Sequence, residues 1–362
     1  MQITSHHHPY SVSEHATVDD AFADLDGDAF VLLDQKVDEL YGERLRRGVA
    51  ADRTYAVEAT EFAKSYEQLT PVFTWLLERR CRRNSHLVVI GGGVLQDIGC
   101  FIASVLMRGI RWTLVPTTLL AQCDSCIGSK SSLNIGSFKN QLGTFYAPHE
   151  VRLAVEFLNT LSREEILSGL GEAIKLHLIA GETEAAWLWE RLAETSEHPA
   201  PLGEIIRSSL QIKKRFIEVD EFDQGIRNLL NYGHTFAHAF ESASRFAIPH
   251  GIAVTLGVAC ATIFSRQLAM LPADDCEELI ARLRPYFGGY ERVLGSLPVP
   301  AILAAMKQDK KNVGDRVTFI LTRGAGRMEK KPVDIAHAGT LLQECVQQLT
   351  TSARHHALGQ VA

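Results

Sequence analysis

Two histidines four residues apart stand in the run Gly233-His234-Thr235-Phe236-Ala237-His238. At that spacing both fall on one face of a helix. A third, His250, follows Pro249 and opens a long apolar stretch, and Glu172 lies in Gly171-Glu172-Ala173-Ile174-Lys175, inside another helical segment. A lone buried histidine is more often a hydrogen-bonded core residue than a ligand. Several histidines with a carboxylate in apolar surroundings shift the reading towards a divalent metal. Three N/O ligands with an open fourth position is the pattern of catalytic zinc. Imidazole and carboxylate also suit other borderline divalent ions, Co2+ among them.

A second group with chemical potential is the loop Gly91-Gly92-Gly93-Val94-Leu95-Gln96-Asp97 after an apolar run. Glycines there let a backbone approach a ligand closely, and a following helix N-terminus favours phosphate. The loop does not complete the dinucleotide pattern G-x-G-x-x-G, because Gln96 stands at the last glycine. Pro116-Thr117-Thr118 after the next apolar run adds two hydroxyls at the same sheet edge and favours a dinucleotide over a bare turn. Cys123 and Cys126 have no second pair to close a tetrahedral site and read as packing thiols. His6, His7 and His8 fall in what reads as a floppy, solvated N-terminus.

These residues need a scaffold. Residues 30–34, 87–90 and 112–116 read as buried strands separated by helical segments, which implies a mostly parallel sheet with ligands at the strands' carboxyl ends. Residues 160–290 show helical periodicity, with a capping-box-like start at Ser162 and Glu165. Residues 252–264 are too short to span a bilayer and read as a buried helix. A short β-like run follows at 317–321, and the tail after Thr350 is polar and expected to be loose. The expectation is a mostly parallel α/β domain at the N-terminus, with a boundary near residue 150. A helical domain would follow it.

The chain has 362 residues, 46% apolar and 22% charged, with a net charge of −6. That is a globular profile. The acidic balance argues against a general nucleic-acid binder but leaves room for a local basic site for small anions. Seven scattered cysteines do not form a disulfide framework. No secretory signal is visible near the start, so a reducing cytoplasm is expected, without membrane association.

Taken in order, the motifs resemble the 3-dehydroquinate synthase family of sugar-phosphate cyclases. They are Gly91-Gly92-Gly93-Val94 with Asp97, Met107-Arg108-Gly109, residues 115–121, Asp124-Ser125, Gly128-Ser129-Lys130, Lys139-Asn140 with Gly143, and residues 171–175. Asp220-Glu221, Gly225-Ile226-Arg227, residues 231–238, residues 250–254 and residues 306–311 complete the set. The resemblance covers about residues 30 to 325. It departs at Gly128-Ser129-Lys130-Ser131, where Gly-Gly-Lys-Thr is usual, in the stretch 133–138, and at Ala237 in place of a glycine.

The resemblance implies a Rossmann-like parallel-sheet α/β domain at 1–150 that binds NAD, a helical domain at 151–362 that binds metal and substrate, and zinc on Glu172, His234 and His250. It implies NAD against Asp34, Glu61, Lys64, Gly91, Gly92, Gly93, Asp97, Thr117, Thr118, Asp124, Lys130 and Lys139. Substrate contacts would come from Lys130, Asn140, Lys175, Lys213, Arg227, Asn231, His238, Lys310 and Lys311, and from Arg108 across a homodimer interface. The implied reaction turns a sugar phosphate into a carbocycle with loss of phosphate, and NAD is reduced and reoxidised within one turnover. The basic pair Lys213 and Arg227, with Asn231 and His238, implies an anionic 2-keto acid of seven carbons as the substrate. The alternatives are another cyclase of the same superfamily, making 2-deoxy-scyllo-inosose, a valiolone or aminodehydroquinate, and a metal-dependent polyol dehydrogenase.

Overall fold

The computed structural model describes residues 1–25, 28–136, 138–194, 202–307 and 315–358, with the side chains of the last helix described to residue 350. The chain divides into two compact units: Met1–Ser162 with Leu202–Gly225, and Arg163–Pro201 with Ile226–Ala362.

The first unit is built on nine strands: β1 (Gln2–Ile3), β2 (Tyr10–His15), β3 (Phe30–Asp34), β4 (Thr54–Val57), β5 (His86–Gly91), β6 (Arg111–Pro116), β7 (Leu133–Ile135), β8 (Phe138–Leu142) and β9 (Glu150–Ala154). Seven of them form one sheet in the order β1-β2-β9-β6-β5-β3-β4. Every pairing in it is parallel except β1 with β2. The central strands β3, β5 and β6 are continuous apolar runs because a parallel sheet covered on both faces leaves no side for polar residues. Their side chains are almost wholly buried. β7 and β8 pair as a separate hairpin.

Three findings depart from the sequence reading. The N-terminus is not floppy: β1 and β2 join the sheet, the Met1 ammonium donates to the Val12 carbonyl at 2.6 Å, and His8 stacks on His149. A single boundary near residue 150 also differs from the observed division. The helix Leu202–Ile217 packs with the first unit, where its Lys213 pairs with Asp124 at 2.6 Å. Finally, the tail after Thr350 does not begin as loose chain, since the last helix runs Ile335–Leu358.

The second unit is helical, with one hairpin of β10 (Arg316–Thr322) and β11 (Met328–Asp334). Its axis is the helix His250–Gln267, buried on all sides from Gly251 to Ser265, as an all-round apolar helix must be. Phe236, Phe264 and Phe319 meet around it with ring centroids 4.8–5.4 Å apart. Each such fully buried side chain contributes about 1.5–3 kcal/mol. Among the described residues no helix is long and apolar enough to cross a membrane.

Candidate metal centre and cofactor loop

Helix packing in the second unit places the chemistry. The helix Arg163–Ala180 lies against the helix His250–Gln267 at a glycine pair. A Cβ on Gly171 would strike the Gly251 carbonyl, and one on Gly251 would strike the Ser168 carbonyl. This close approach brings Glu172, next to Gly171, to His250, next to Gly251. The third element, His234–Ala243, starts at Gly233, whose φ of +80° is the left-handed region open to glycine.

The result is a cluster around a buried carboxylate. Glu172, 2% exposed, has Oε1 at 3.2 Å from His250 Nε2 and 3.4 Å from His234 Nε2. Its Oε2 lies 2.5 Å from Lys175 Nζ. The ligand atoms of Glu172, His234 and His250 all lie within 4.8 Å of one another. Burial works to raise the Glu172 carboxyl, but Lys175 and His234 outweigh it and hold the group well below the usual carboxylate range. Burial likewise opposes charge on His250, yet Glu241 and Glu172 push that ring up to about 10. Burial wins at His234 and lowers it, against the pull of Glu172. An ionised carboxylate and two converging Nε2 atoms suit a borderline divalent cation.

Other expected residues of this unit lie near the cluster in sequence or space. Lys175 touches Glu172 directly. His238 is exposed, with its ring 5.4 Å from His234 and 6.1 Å from His250. Arg227 is buried, and Asn231 donates to the Asn228 carbonyl at 3.0 Å. Lys310 and Lys311 lie outside the described residues.

In the first unit the glycine loop leads from β5 into the helix Gly93–Val105. Beside it runs a continuous polar network. Lys64 Nζ is 3.0 Å from Asp97 and 3.9 Å from Glu61, and Lys139 is 3.1 Å from Glu61. Burial works to raise Glu61, but Lys64, Asn134 and Lys139 lower it, whereas burial dominates at Asp97 and raises it despite Lys64. Thr117 is buried and donates its backbone N–H to the Gly91 carbonyl at 3.1 Å. The Thr118 hydroxyl accepts from Ala121 N at 3.2 Å.

Asp34 caps the helix Gln35–Leu45 by accepting from Lys36 N at 2.9 Å. Lys213 holds both the carboxylate and the carbonyl of Asp124. Lys130, half exposed, meets Asp223 at 3.1 Å. Asn140 and Arg108 are exposed at φ +53° and +64°. Cys123 and Cys126 are buried free thiols, as packing residues should be.

Sequence reasoning missed three participants. Asn134, 6% exposed, donates to Glu61 at 2.9 Å and accepts from Asn140 N at 3.0 Å, tying the network to the β7–β8 hairpin. Asp223 holds Lys130. Glu241 Oε1 lies 3.1 Å from His250 Nδ1. Only Glu241 carried a local signal, because His234, His238 and Glu241 follow the i, i+4, i+7 spacing of one helix face.

The structure is similar to 2-deoxy-scyllo-inosose synthase complexed with carbaglucose-6-phosphate, NAD+ and Co2+ (TM-score 0.81, 21% identity, 96% of this chain and 99% of that one). It is equally similar to 2-epi-5-epi-valiolone synthase from Streptomyces hygroscopicus subsp. jinggangensis with NAD+ and Zn2+ bound (TM-score 0.81, 23% identity, 94% and 97%). At these identities the likeness establishes the fold. Sequence goes further. Residues 54–168 match the family described as 3-dehydroquinate synthase N-terminal, and residues 169–312 match 3-dehydroquinate synthase C-terminal. The 3-dehydroquinate synthase of Ruegeria sp. (strain TM1040) is 36% identical over 308 residues, 82% of each chain. The chain belongs to the 3-dehydroquinate synthase family of enzymes.

Proposed function

We propose that this enzyme converts a seven-carbon 2-keto sugar-acid phosphate, 3-deoxy-arabino-heptulosonate 7-phosphate or a close analogue, into a carbocycle with loss of phosphate, using bound NAD and Zn2+ or Co2+. The observation that carries this is the converging donor set of Glu172, His234 and His250 in a chain of this family. Both similar solved cyclases contain NAD+ and a divalent metal in the same fold. When bound, the metal supplies Lewis-acid polarisation of substrate oxygens, and NAD supplies a reversible hydride acceptor.

The chain's own residues would do the rest. Glu172, His234 and His250 hold the cation, with Lys175 beside Glu172. The glycine loop and the network of Glu61, Lys64, Asp97 and Lys139 hold the dinucleotide, together with Asp34, Thr117, Thr118 and Asp124. Lys130, Asn140, Lys213, Arg227, Asn231, His238, Lys310 and Lys311 bind and orient the anionic substrate, and His238 assists proton movement at the phosphate. Lys213 and Arg227, both 7% exposed, are the basic groups assigned to the anionic substrate, and Lys213 meets the Asp124 carboxylate in this structure. The same reading takes the enzyme to be a cytoplasmic homodimer in which Arg108 of one copy serves the site of the other. In it, the sheet unit carries NAD and the helical unit carries the metal.

The test is phosphate release from the keto acid in competition with sedoheptulose 7-phosphate. Preference for the keto acid, dependence on added NAD and no net NADH are expected. Loss of one charge-assisted bond costs about 1.5–3 kcal/mol, so Arg227→Ala should lower kcat/KM roughly 10- to 150-fold. Preference for sedoheptulose 7-phosphate would favour another cyclase activity, and stoichiometric NADH a dehydrogenase.

A further inference from the structure

Glu241 has no task in the metal reading, yet it is placed as if for one. Its side chain is 15% exposed, and it lies in the last turns of His234–Ala243. Oε1 stands 3.1 Å from His250 Nδ1, while the opposite ring nitrogen, Nε2, stands 3.2 Å from Glu172. A neutral imidazole has one N–H and one lone pair. If Nε2 offers its lone pair to a cation beside Glu172, Nδ1 carries the hydrogen and needs an acceptor. His234 solves the same problem differently: its Nδ1 faces the neutral Tyr232 carbonyl at 3.4 Å. At His250 the acceptor is a carboxylate, which also adds negative charge beside the site.

We propose that Glu241 is a positioning residue: it accepts the Nδ1–H of His250, fixes the tautomer that presents Nε2, and strengthens the hold on a divalent cation without ligating it. The inference rests on the metal reading. A rival arrangement exists, because His238, Glu241 and His250 also bring ligand atoms within 4.8 Å of one another. There Glu241 would be a ligand, and His238 would matter as much as Glu241.

The experiment titrates metal-free full-length protein with Zn2+ alone against a chromophoric chelator, and with Co2+ to record its visible spectrum. Wild type, Glu241→Ala, Glu241→Gln, His238→Ala and His234→Ala are compared. Glu241→Ala is expected to keep one ion per chain and the Co2+ spectrum while its Kd weakens about 10- to 100-fold. Glu241→Gln keeps an acceptor without the charge, so it should recover part of that loss and control for misfolding. His238→Ala should stay within about twofold of wild type.

An unchanged Kd in both Glu241 variants, with metal lost in His234→Ala, would overturn the positioning role and leave the metal reading intact. Equal metal loss in Glu241→Ala and His238→Ala would overturn it in favour of ligation by the second triad. Retention of full affinity by His234→Ala would overturn the metal reading and this inference with it.

Discussion

His250 and His177 lie in the same helical unit, and their surroundings make them opposites. His177 is fully buried, its Nδ1 2.8 Å from the Ala173 carbonyl and its ring stacked on Trp187 at 5.6 Å. Burial dominates there and pushes the ring down to about 4. His250 sits between two carboxylates and is pushed up to about 10. Apolar surroundings keep a histidine neutral and make it part of the core. Carboxylates on both nitrogens make it a place where positive charge belongs, whether a proton or a metal.

The largest effect that separates the two regions is expected at Glu172. Glu172→Ala leaves Lys175 buried without its carboxylate and removes a ligand. Breaking a buried pair on one side costs about 3–5 kcal/mol. Urea denaturation of the metal-free protein should show a loss of that size, alongside loss of metal. His177→Phe conserves shape and should cost under about 1.5 kcal/mol. Equal losses in the two variants would mean that the Glu172 cluster is ordinary core.

Acid pH gives the next effect. The folded His177 ring titrates near 4 against about 6.5 when unfolded, so the unfolded chain takes up the proton first as pH falls. The contribution is complete above pH 6.5 and is lost progressively down to about pH 4. At 1.36 kcal/mol per unit it amounts to at most about 3 kcal/mol. His149 in the sheet unit, pushed down to about 4 by burial and by His8, adds in the same direction. The unfolding free energy measured between pH 7 and 4 should therefore fall less steeply in His177→Phe than in wild type. An unchanged slope would show that the ring is not held neutral.

The same contrast explains what could be read in advance. The histidines and Glu172 were legible as candidates by residue type and neighbourhood, with the choice of Glu172, His234 and His250 coming from the family resemblance, and β3, β5 and β6 were legible because a fully buried strand has no polar alternative. The helix 250–267 announced itself by the absence of any polar face. β1 and β2 were not legible: β1 is two residues long and pairs only with β2, and β2, with its two serines and a histidine, joins the sheet by pairing with β9 far along the chain. Nor can local periodicity say which unit a helix joins. Leu202–Ile217 is strongly amphipathic, but only pairs distant in sequence, Lys213–Asp124 and Arg207–Glu14, reveal its side. Asp223 and Asn134 were missed for the same reason, since each acquires its role from a partner distant in sequence.

The smallest expected effect is also a sharp one, the response of metal affinity to His177→Phe. His177 follows Glu172 by five residues on one helix, Arg163–Ala180. At about 100° per residue the two point roughly 140° apart, so they share a helix without sharing a face. Trp187, on the following helix, covers His177, while His250 meets Glu172. From a different face of the helix, His177 would alter metal binding by moving that helix, and phenylalanine fills the same stacked position. The Kd for Zn2+ in His177→Phe, measured by chelator competition, should stay within about twofold of wild type, although the acid stability changes. A weakening of tenfold or more would mean that the two faces are mechanically coupled, and that His177 belongs to the site rather than to the core.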